Sequence, residues 1–341
     1  MRESNTRTVA EQKPLGVIDA VSAGLDLVRR RPWTLALPIL VDVLVWIMPR
    51  LSLTQLLRPS VDEMLQMASL SGDPQVIAET RQTLDALIQS FNLLSIVTTA
   101  LNSVARFPSL FKLDTLRATM LNVPGPINAL AYSQPLLSPE LIVVLFVPLF
   151  LLGLLMVAVY LELIAQGVRP LEKQSKDAAL LRIAQLWLRL IWFALLLLGM
   201  FLGAGIVMAL LQAFLPSPEL ATFAALLLTI ALFWVLIYFF FVTSAMAVSG
   251  VALRMAIRHS TLLFRVFFWS AIGLVLLSVF LERGLAIIWD GLTVSSIGVV
   301  IAIAANAYIG TSLVAAAMVF YQDRMRAVER MRQKRKTAQK K

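Results

Sequence analysis

The sequence predicts an all-α fold: a polytopic integral membrane helical bundle of six transmembrane helices, with amphipathic interfacial helices and an extracytoplasmic loop region. Three observations predict it. Hydrophobic residues fill 59% of the 341 positions and charged residues only 15%, whereas a soluble protein needs about a quarter of its residues charged to cover its surface. Mean hydropathy is +0.82. Apolar stretches close to the length of a membrane span, about 20 residues, recur six times.

In chain order, residues 1–32 form a polar, amphipathic lead-in on the cytoplasmic side. The first span, 33–49, is short and carries Pro38 and Asp42. No small-residue cleavage site follows it, so it is expected to act as an uncleaved signal anchor. Residues 50–138 are the one sizeable region outside the bilayer. Val61, Met64, Leu65 and Ala68 fall at helical spacing, as do Leu84, Leu87, Ile88 and Phe91, which predicts two amphipathic helices. Ser71-Gly72-Asp73-Pro74 supplies the turn between them, with Asp73 as cap and Pro74 in the first helical position. The apolar run Phe91–Ala105 is only 15 residues long, and Asn92, Ser95, Thr99 and Asn102 share one face. It is expected to lie at the interface or against the bundle rather than to cross. Pro108, Pro124, Pro126, Pro135 and Pro139 mark the remainder as an irregular loop.

The second span, 139–165, is strongly apolar, and the cytoplasmic loop 166–189 leads to the third, 190–215. Pro216-Ser217-Pro218 joins it to the fourth, 220–248; both prolines stop helices. A cytoplasmic loop helix, 249–265, precedes the fifth span, 266–281, which Arg265 and Glu282 bracket. That span is short enough to require a thinned bilayer or snorkelling ends. The sixth, 296–320, continues into a basic cytoplasmic tail, 321–341.

Charge sets the orientation. Lys and Arg number 30 against 20 Asp and Glu, a formal +10. Twenty-three basic residues fall in the lead-in, the two loops and the tail, and seven fall on the other side. Basic residues gather on the cytoplasmic side, so the expectation is a multi-pass protein of the cell (cytoplasmic) membrane with the N-terminus and C-terminus both cytoplasmic. An even number of spans follows. The 50–138 region balances six basic with six acidic residues and offers no surface for a strongly charged partner.

A weak internal repeat runs through the spans. Gly16-Val17-Ile18-Asp19-Ala20 leads through Arg29-Arg30-Arg31 to Trp33, Gly250-Val251-Ala252 leads through Arg265 to Trp269, and Asp177-Ala178-Ala179 leads through Arg182 and Arg189 to Trp192. Each unit places an amphipathic helix, a basic residue and an aromatic anchor before a hairpin. A shift of 234 residues matches Gly16, Val17 and Arg31 to Gly250, Val251 and Arg265. The competing explanation is that any helix entering a membrane begins with Arg and Trp.

The lead-in ending in Arg29-Arg30-Arg31-Pro32-Trp33, the Arg258-His259-Ser260 approach to Phe267-Phe268-Trp269, and the exit through Ala317-Met318-Val319-Phe320-Tyr321 carry a resemblance. The chain resembles bacterial six-span families that include the membrane domain of glycerophosphoryl diester phosphodiesterases and the YciC-like proteins. The resemblance covers the spans and not the 50–138 region. It implies an all-helical membrane protein and no catalytic residues, because in two-part phosphodiesterases the active site lies in a separate soluble barrel.

Cysteine is absent and His259 is the one histidine, which removes disulfides, thiolate nucleophiles and His-rich or Cys-based metal sites from consideration. No nucleophile elbow, phosphate-binding Walker loop or zincin helix occurs. The expectation is no enzyme, with no cofactor, metal or catalytic residues. Ionisable groups at membrane depth mark pathways often enough to be candidates. Asp42 would lie about 14 Å into its span, and Glu162 lies near a helix end where it can snorkel or meet Arg169. Asn306 sits among small residues and could bond across a helix interface. Arg29, Arg30, Arg31, Arg324, Arg326, Arg330, Arg332, Lys334, Arg335 and Lys336 are expected topology anchors and lipid-headgroup ligands, each gaining roughly 1 kcal/mol beside anionic lipid. The expected partners are therefore membrane lipids with anionic headgroups. Gly199, Gly203 and Gly205 give the third span a GxxxG surface and leave a homo-oligomer or a membrane-protein partner open. Nucleic acid is not expected, since the tail has no interleaved aromatics. The functional expectation is a non-catalytic scaffold or accessory component in lipid or envelope processes, with a small transporter or lipid-translocating protein centred on Asp42 as the alternative.

Overall fold

A computed structural model describes residues 14–47, 54–69, 78, 80–82, 84–85, 93–110, 139–169, 176–215, 217–293 and 295–339, and no strand occurs among them. The elements are α1 (Val17–Arg30), a 3-10 turn (Pro32–Leu35), α2 (Ala36–Ile47), α3 (Thr54–Ser69), α4 (Leu93–Ala105), α5 (Pro139–Val168), α6 (Lys176–Phe214), α7 (Pro218–Phe239), α8 (Val242–Ser249), α9 (Leu253–Val266), α10 (Phe268–Leu292) and α11 (Ser296–Ala338). Five segments are long and apolar enough to cross a membrane: α5, α6, α7 with α8, α10 and α11. The first expected span is not among them. Pro32–Ile47 is a shorter apolar helix, covering about 24 Å at 1.5 Å per residue.

Local sequence explains the helix ends. Ser217 caps α7, its Oγ accepting from the Leu220 N–H at 3.3 Å, with Pro218 in the first turn. Gly250 closes α8 in the left-handed region at φ 62°, donating its N–H to the Met246 carbonyl at 3.1 Å; a glycine takes that conformation without a Cβ penalty. Three elements outrun the expected boundaries. No glycine or proline interrupts 176–198, so α6 carries its lead-in and span as one helix, where a break near Arg189 was expected. Helix α10 passes straight through Glu282 and Arg283 to Leu292, so the fifth apolar element is 25 residues long and not short. Helix α11 runs 43 residues, taking the basic tail with it as far as Ala338. In the 50–138 region, α3 carries the first predicted amphipathic helix; the Ser71–Pro74 turn and most of the second lie outside the described residues.

The core forms where α5, α8 and α11 each pack on the other two. Small residues recur among the buried positions of these helices: Ala158 and Ala165, Thr243 to Ala245 and Ala247, and Ala315 to Ala317. Small side chains let backbones approach closely, which drives helix association in lipid. Tyr160, Leu161, Phe241 and Phe320 fill the space between them, with the Phe241 and Phe320 rings stacked 5.5 Å apart.

Shorter helices wrap this core. Helix α1 lies along α11, so close that a Cβ on Gly24 would sit 2.3 Å from the Ser312 carbonyl oxygen and 2.7 Å from the Ala316 nitrogen. Helix α9 docks on α7 and α8 through Ser260, whose Oγ donates to the Tyr238 carbonyl at 2.5 Å and accepts from the Phe241 N–H at 3.3 Å. The first half of α6 lies on α5, with Trp187 Nε1 donating to the Leu151 carbonyl at 3.0 Å.

The repeat is present in the geometry of α1 and α9, in a different register. Both helices have 14 residues. They start from extended residues of near-equal backbone angles, Gly16 (φ −65°, ψ 167°) and Ala252 (φ −64°, ψ 156°), and end on single breaks at Arg31 (φ −133°, ψ 64°) and Phe267 (φ −126°, ψ 40°). Their buried faces correspond: Ala20, Gly24 and Val28 with Ala256, Ser260 and Phe264. Trp33 and Trp269 follow the breaks at equivalent places and are 57% and 83% exposed. Gly16 thus pairs with Ala252, and Gly250 belongs to the end of the preceding helix. The third unit lacks the break, because α6 is continuous.

The outer faces of α6 and α7 are apolar and exposed, among them Leu198, Phe201, Leu202, Phe223, Leu226 and Phe233. Continuous apolar surface of this kind is not sustained in water and suits hydrocarbon. Gly199, Gly203 and Gly205 lie on it with nothing within 4 Å of where a Cβ would stand, so the GxxxG surface packs on no other part of the described chain. Two substitutions follow. Gly24→Val must push α1 off α11 and should lower the thermal unfolding midpoint in detergent by an amount corresponding to about 1–3 kcal/mol of overpacking. Gly203→Ala, which meets nothing, should leave the midpoint unchanged or raise it slightly.

Candidate functional site

The predicted polar residues do not converge on one centre. Asp42 is 0% exposed. Its Oδ1 accepts from Ser109 Oγ at 2.5 Å and its Oδ2 from the Leu110 N–H at 2.8 Å. The carboxylate thereby holds the segment after α4 inside the bundle. That segment turns inward at Arg106, which adopts φ 54° and ends α4 in the left-handed conformation usually left to glycine. The chain then places Phe107 edge-on to Tyr160 at 5.3 Å and Pro108 against Gly310, where a Cβ would be 2.2 Å away.

Arg106 itself lies over the Phe240 ring at 4.0 Å and faces a cavity of about 20 Å³ together with Asn102, Glu282, Trp289 and Asn306. The space is sized for a single water molecule. Among the described residues neither Arg106 Nη1 nor Asn306 Nδ2 has a hydrogen-bond partner, although both are buried, so within that set the Asn306 amide nitrogen makes no bond across a helix interface. Glu282 exerts an electrostatic pull on Arg106. Sequence reasoning passed over both charges. Arg106 had a signal, being the only charged residue between Asp85 and Lys112; Glu282 was hidden because a charge at the edge of an apolar run looks like the end of a span. Asp42 lines neither this cavity nor the larger one below.

Glu162 has the richest surroundings. It is 1% exposed and receives a forked pair of bonds from Arg169, Nη1 to Oε1 at 3.0 Å and Nη2 to Oε2 at 3.1 Å. Arg182 Nε stands 3.7 Å from Oε1. Arg169 also donates from Nε to the Val248 carbonyl at 3.0 Å and from Nη2 to the Ala247 carbonyl. The ends of α5 and α8 are thus tied through one guanidinium. Above this cluster opens a cavity of about 410 Å³ whose wall includes Arg169, Arg182, Ser249, Tyr321, Arg326 and Glu329. With the Gln322 amide turned so that both its ends are satisfied, its nitrogen donates to the Val168 carbonyl at 3.1 Å and its oxygen accepts from Arg326 Nη2 at 3.3 Å.

Tyr321 connects this wall to the histidine. Its hydroxyl lies 2.9 Å from Ser249 Oγ and 2.9 Å from His259 Nδ1. His259 is half-buried. Burial, reinforced by Arg332 and opposed by Glu329, holds its pKa below the ordinary histidine value.

Of the expected headgroup anchors, Arg29, Arg30, Arg326, Arg330, Arg332, Lys334 and Lys336 are exposed and Arg31 is half-buried, while the Arg335 side chain lies outside the described residues. Arg324 is placed differently: it is 5% exposed, its guanidinium 4.8 Å from the centroids of the Phe267 and Phe320 rings. Its Nη2 donates to the Leu15 carbonyl at 2.7 Å, and Asp323 accepts the Leu15 N–H at 3.0 Å. These two neighbours clamp the start of α1 to α11. Among the described residues, no group of three or more histidines and carboxylates could hold a metal ion.

Asp42→Leu leaves the Leu110 N–H and Ser109 hydroxyl without their acceptor and should destabilise the protein by about 1–3 kcal/mol, read as a lower unfolding midpoint in detergent; Asp42→Asn should cost less, since it keeps one acceptor. A depressed His259 pKa means that the folded state favours the neutral ring. Its contribution is therefore complete above the unfolded value of about 6.5 and is lost as pH falls through that value towards the lower folded one. The unfolding midpoint should fall between pH 7.5 and 5.5 in the wild type and change less in His259→Gln. Neither a family model, a curated protein nor a solved structure matches this chain.

Proposed function

We propose that this chain is a six-pass protein of the cytoplasmic membrane, with both ends in the cytoplasm, acting as a non-catalytic scaffold or accessory component in lipid or envelope processes. Five apolar helices of spanning length support the membrane placement, and Pro32–Ile47 supplies the sixth crossing. It is short for a 30 Å core, but the Asp42 bonds to Ser109 and Leu110 relieve the polar groups it brings with it. The positive-inside rule supports the orientation: the excess of basic residues falls on the lead-in, the intervening loops and the tail.

The observation that carries the non-catalytic reading is the use of the interior polar groups. Asp42 holds the segment after α4, Glu162 holds Arg169, and the Asp323–Arg324 pair holds Leu15. Each acts on the chain itself, and no nucleophile, base and oxyanion donor converge among them. The transporter reading centred on Asp42 has less support, because that carboxylate is enclosed and faces neither described cavity.

The chain has no cysteine, so single cysteines report sidedness cleanly. Ser71→Cys should react with an impermeant maleimide added outside intact cells, whereas Thr337→Cys and Ala252→Cys should react only after the membrane is opened. Labelling of Ser71→Cys solely after opening would overturn the orientation. Identification of lipid and protein co-purifying with the native chain tests the accessory role; a chain that purifies alone and free of lipid from native membranes would count against it.

A further inference from the structure

We propose that the cavity above Glu162 is a binding site for a phosphate group. Three guanidiniums reach it from three separate elements: Arg169 from the end of α5, Arg182 from α6 and Arg326 from α11. A guanidinium presents its donors in a planar fork that matches phosphate oxygens. One of the three is held in advance: Arg169 is fixed by both Glu162 oxygens and by the Ala247 and Val248 carbonyls, while Arg326 is exposed beside Gln322, whose amide oxygen accepts from it once the amide is turned. Preset donors bind with less loss of side-chain freedom.

The hydroxyls complete the wall. Tyr321 and Ser249, 2.9 Å apart, can each turn a proton towards an oxyanion, and Gly250 beside them has nothing within 4 Å of where a Cβ would stand. Glu162 does not oppose an anion at the mouth, because it lies buried behind Arg169 with both oxygens engaged. Among the described wall residues, Glu329 is the one carboxylate. At about 410 Å³ the space falls within the usual range for small-ligand pockets, about 300–1,000 Å³.

Two sources can supply the phosphate: the headgroup of an anionic lipid, or a soluble phosphate or phosphate ester. The lipid source fits the depth, since Tyr321 directly follows the apolar stretch of α11, and only that arm rests on the membrane reading above. The experiment uses the purified full-length chain. In detergent the probe is inorganic phosphate; in nanodiscs it is phosphatidic acid in phosphatidylcholine, against phosphatidylcholine alone. The unfolding midpoint is followed as each probe is titrated.

The wild-type midpoint should rise by several degrees. A rise with phosphatidic acid alone identifies the lipid headgroup, and a rise with inorganic phosphate as well identifies the soluble source. The Arg182→Gln/Arg326→Gln pair should require at least tenfold more of the same probe for the same rise, and Arg326→Lys should fall between. Arg254→Gln, which removes an exposed basic residue of α9 outside the cavity, should respond as the wild type does. Because Arg182→Gln also loosens the Glu162 cluster, Arg326→Gln alone is a second variant, and it too must weaken the response. The proposal is overturned if neither probe stabilises the wild type, if Arg326→Gln responds fully, or if Arg254→Gln loses the response. A reversed cysteine-labelling pattern would instead strike the membrane orientation and leave the inorganic-phosphate result standing.

Discussion

Close backbone approach between α5, α8 and α11 is the constraint on which the other features depend. In hydrocarbon, apolar surface gains little by leaving lipid for protein, so helices associate through packing and through bonds between polar groups. Alanine, serine and threonine at Ala158, Ala165, Thr243, Ser244, Ala245 and Ala315 to Ala317 permit that packing. The same need recurs where α1 meets α11. There Gly24 lets one helix lie on the backbone of another, and α1 joins the first residues of the fold to the last long helix. Helix α9 meets α7 and α8 in the same way through Ser260, a small residue that also bonds to the Tyr238 carbonyl and Phe241 N–H on either side of the break between those helices.

Polar residues inside the bundle bind segments that are remote in sequence. Asp42 reaches Ser109 and Leu110, Arg169 reaches Ala247 and Val248, and Arg324 reaches Leu15. Each bond satisfies a backbone or side-chain group that would otherwise sit unpaired in apolar surroundings. They also make the fold specific, because each contact forms in a single arrangement of the helices. The basic end differs in kind. Its guanidiniums and hydroxyls surround open space, and one of them, the Tyr321 hydroxyl, is shared with the neutral ring of His259.

The helical class and the apolar segments were legible because hydropathy is a property of composition, which no tertiary contact alters. The repeat was legible as a pattern but two residues out of register. Identity of residue type pointed from Gly16 to Gly250, yet the first starts a helix in extended conformation and the second ends one at positive φ. Only the buried faces, Ala20-Gly24-Val28 and Ala256-Ser260-Phe264, give the correct pairing. The Glu162–Arg169 contact is one of the two outcomes the sequence allows for Glu162, since seven residues along a helix end is a short distance. Arg182 and the carbonyls of α8 were beyond reach of such reasoning, as they arrive from other elements.

What the sequence determined by itself is the apolar helical architecture, the start of α7 at Ser217 and Pro218, and the bias of charge between the two ends. These follow from side-chain transfer energies and from local backbone preferences, which act over a few residues. The tertiary structure decided which polar groups meet. It put Asp42 to work as an acceptor for an inserted segment, buried Arg324 between two rings, and gathered Arg169, Arg182 and Arg326 around one cavity. Those outcomes depend on how far each helix is turned about its own axis, and that rotation is set by packing against neighbours that are distant along the chain.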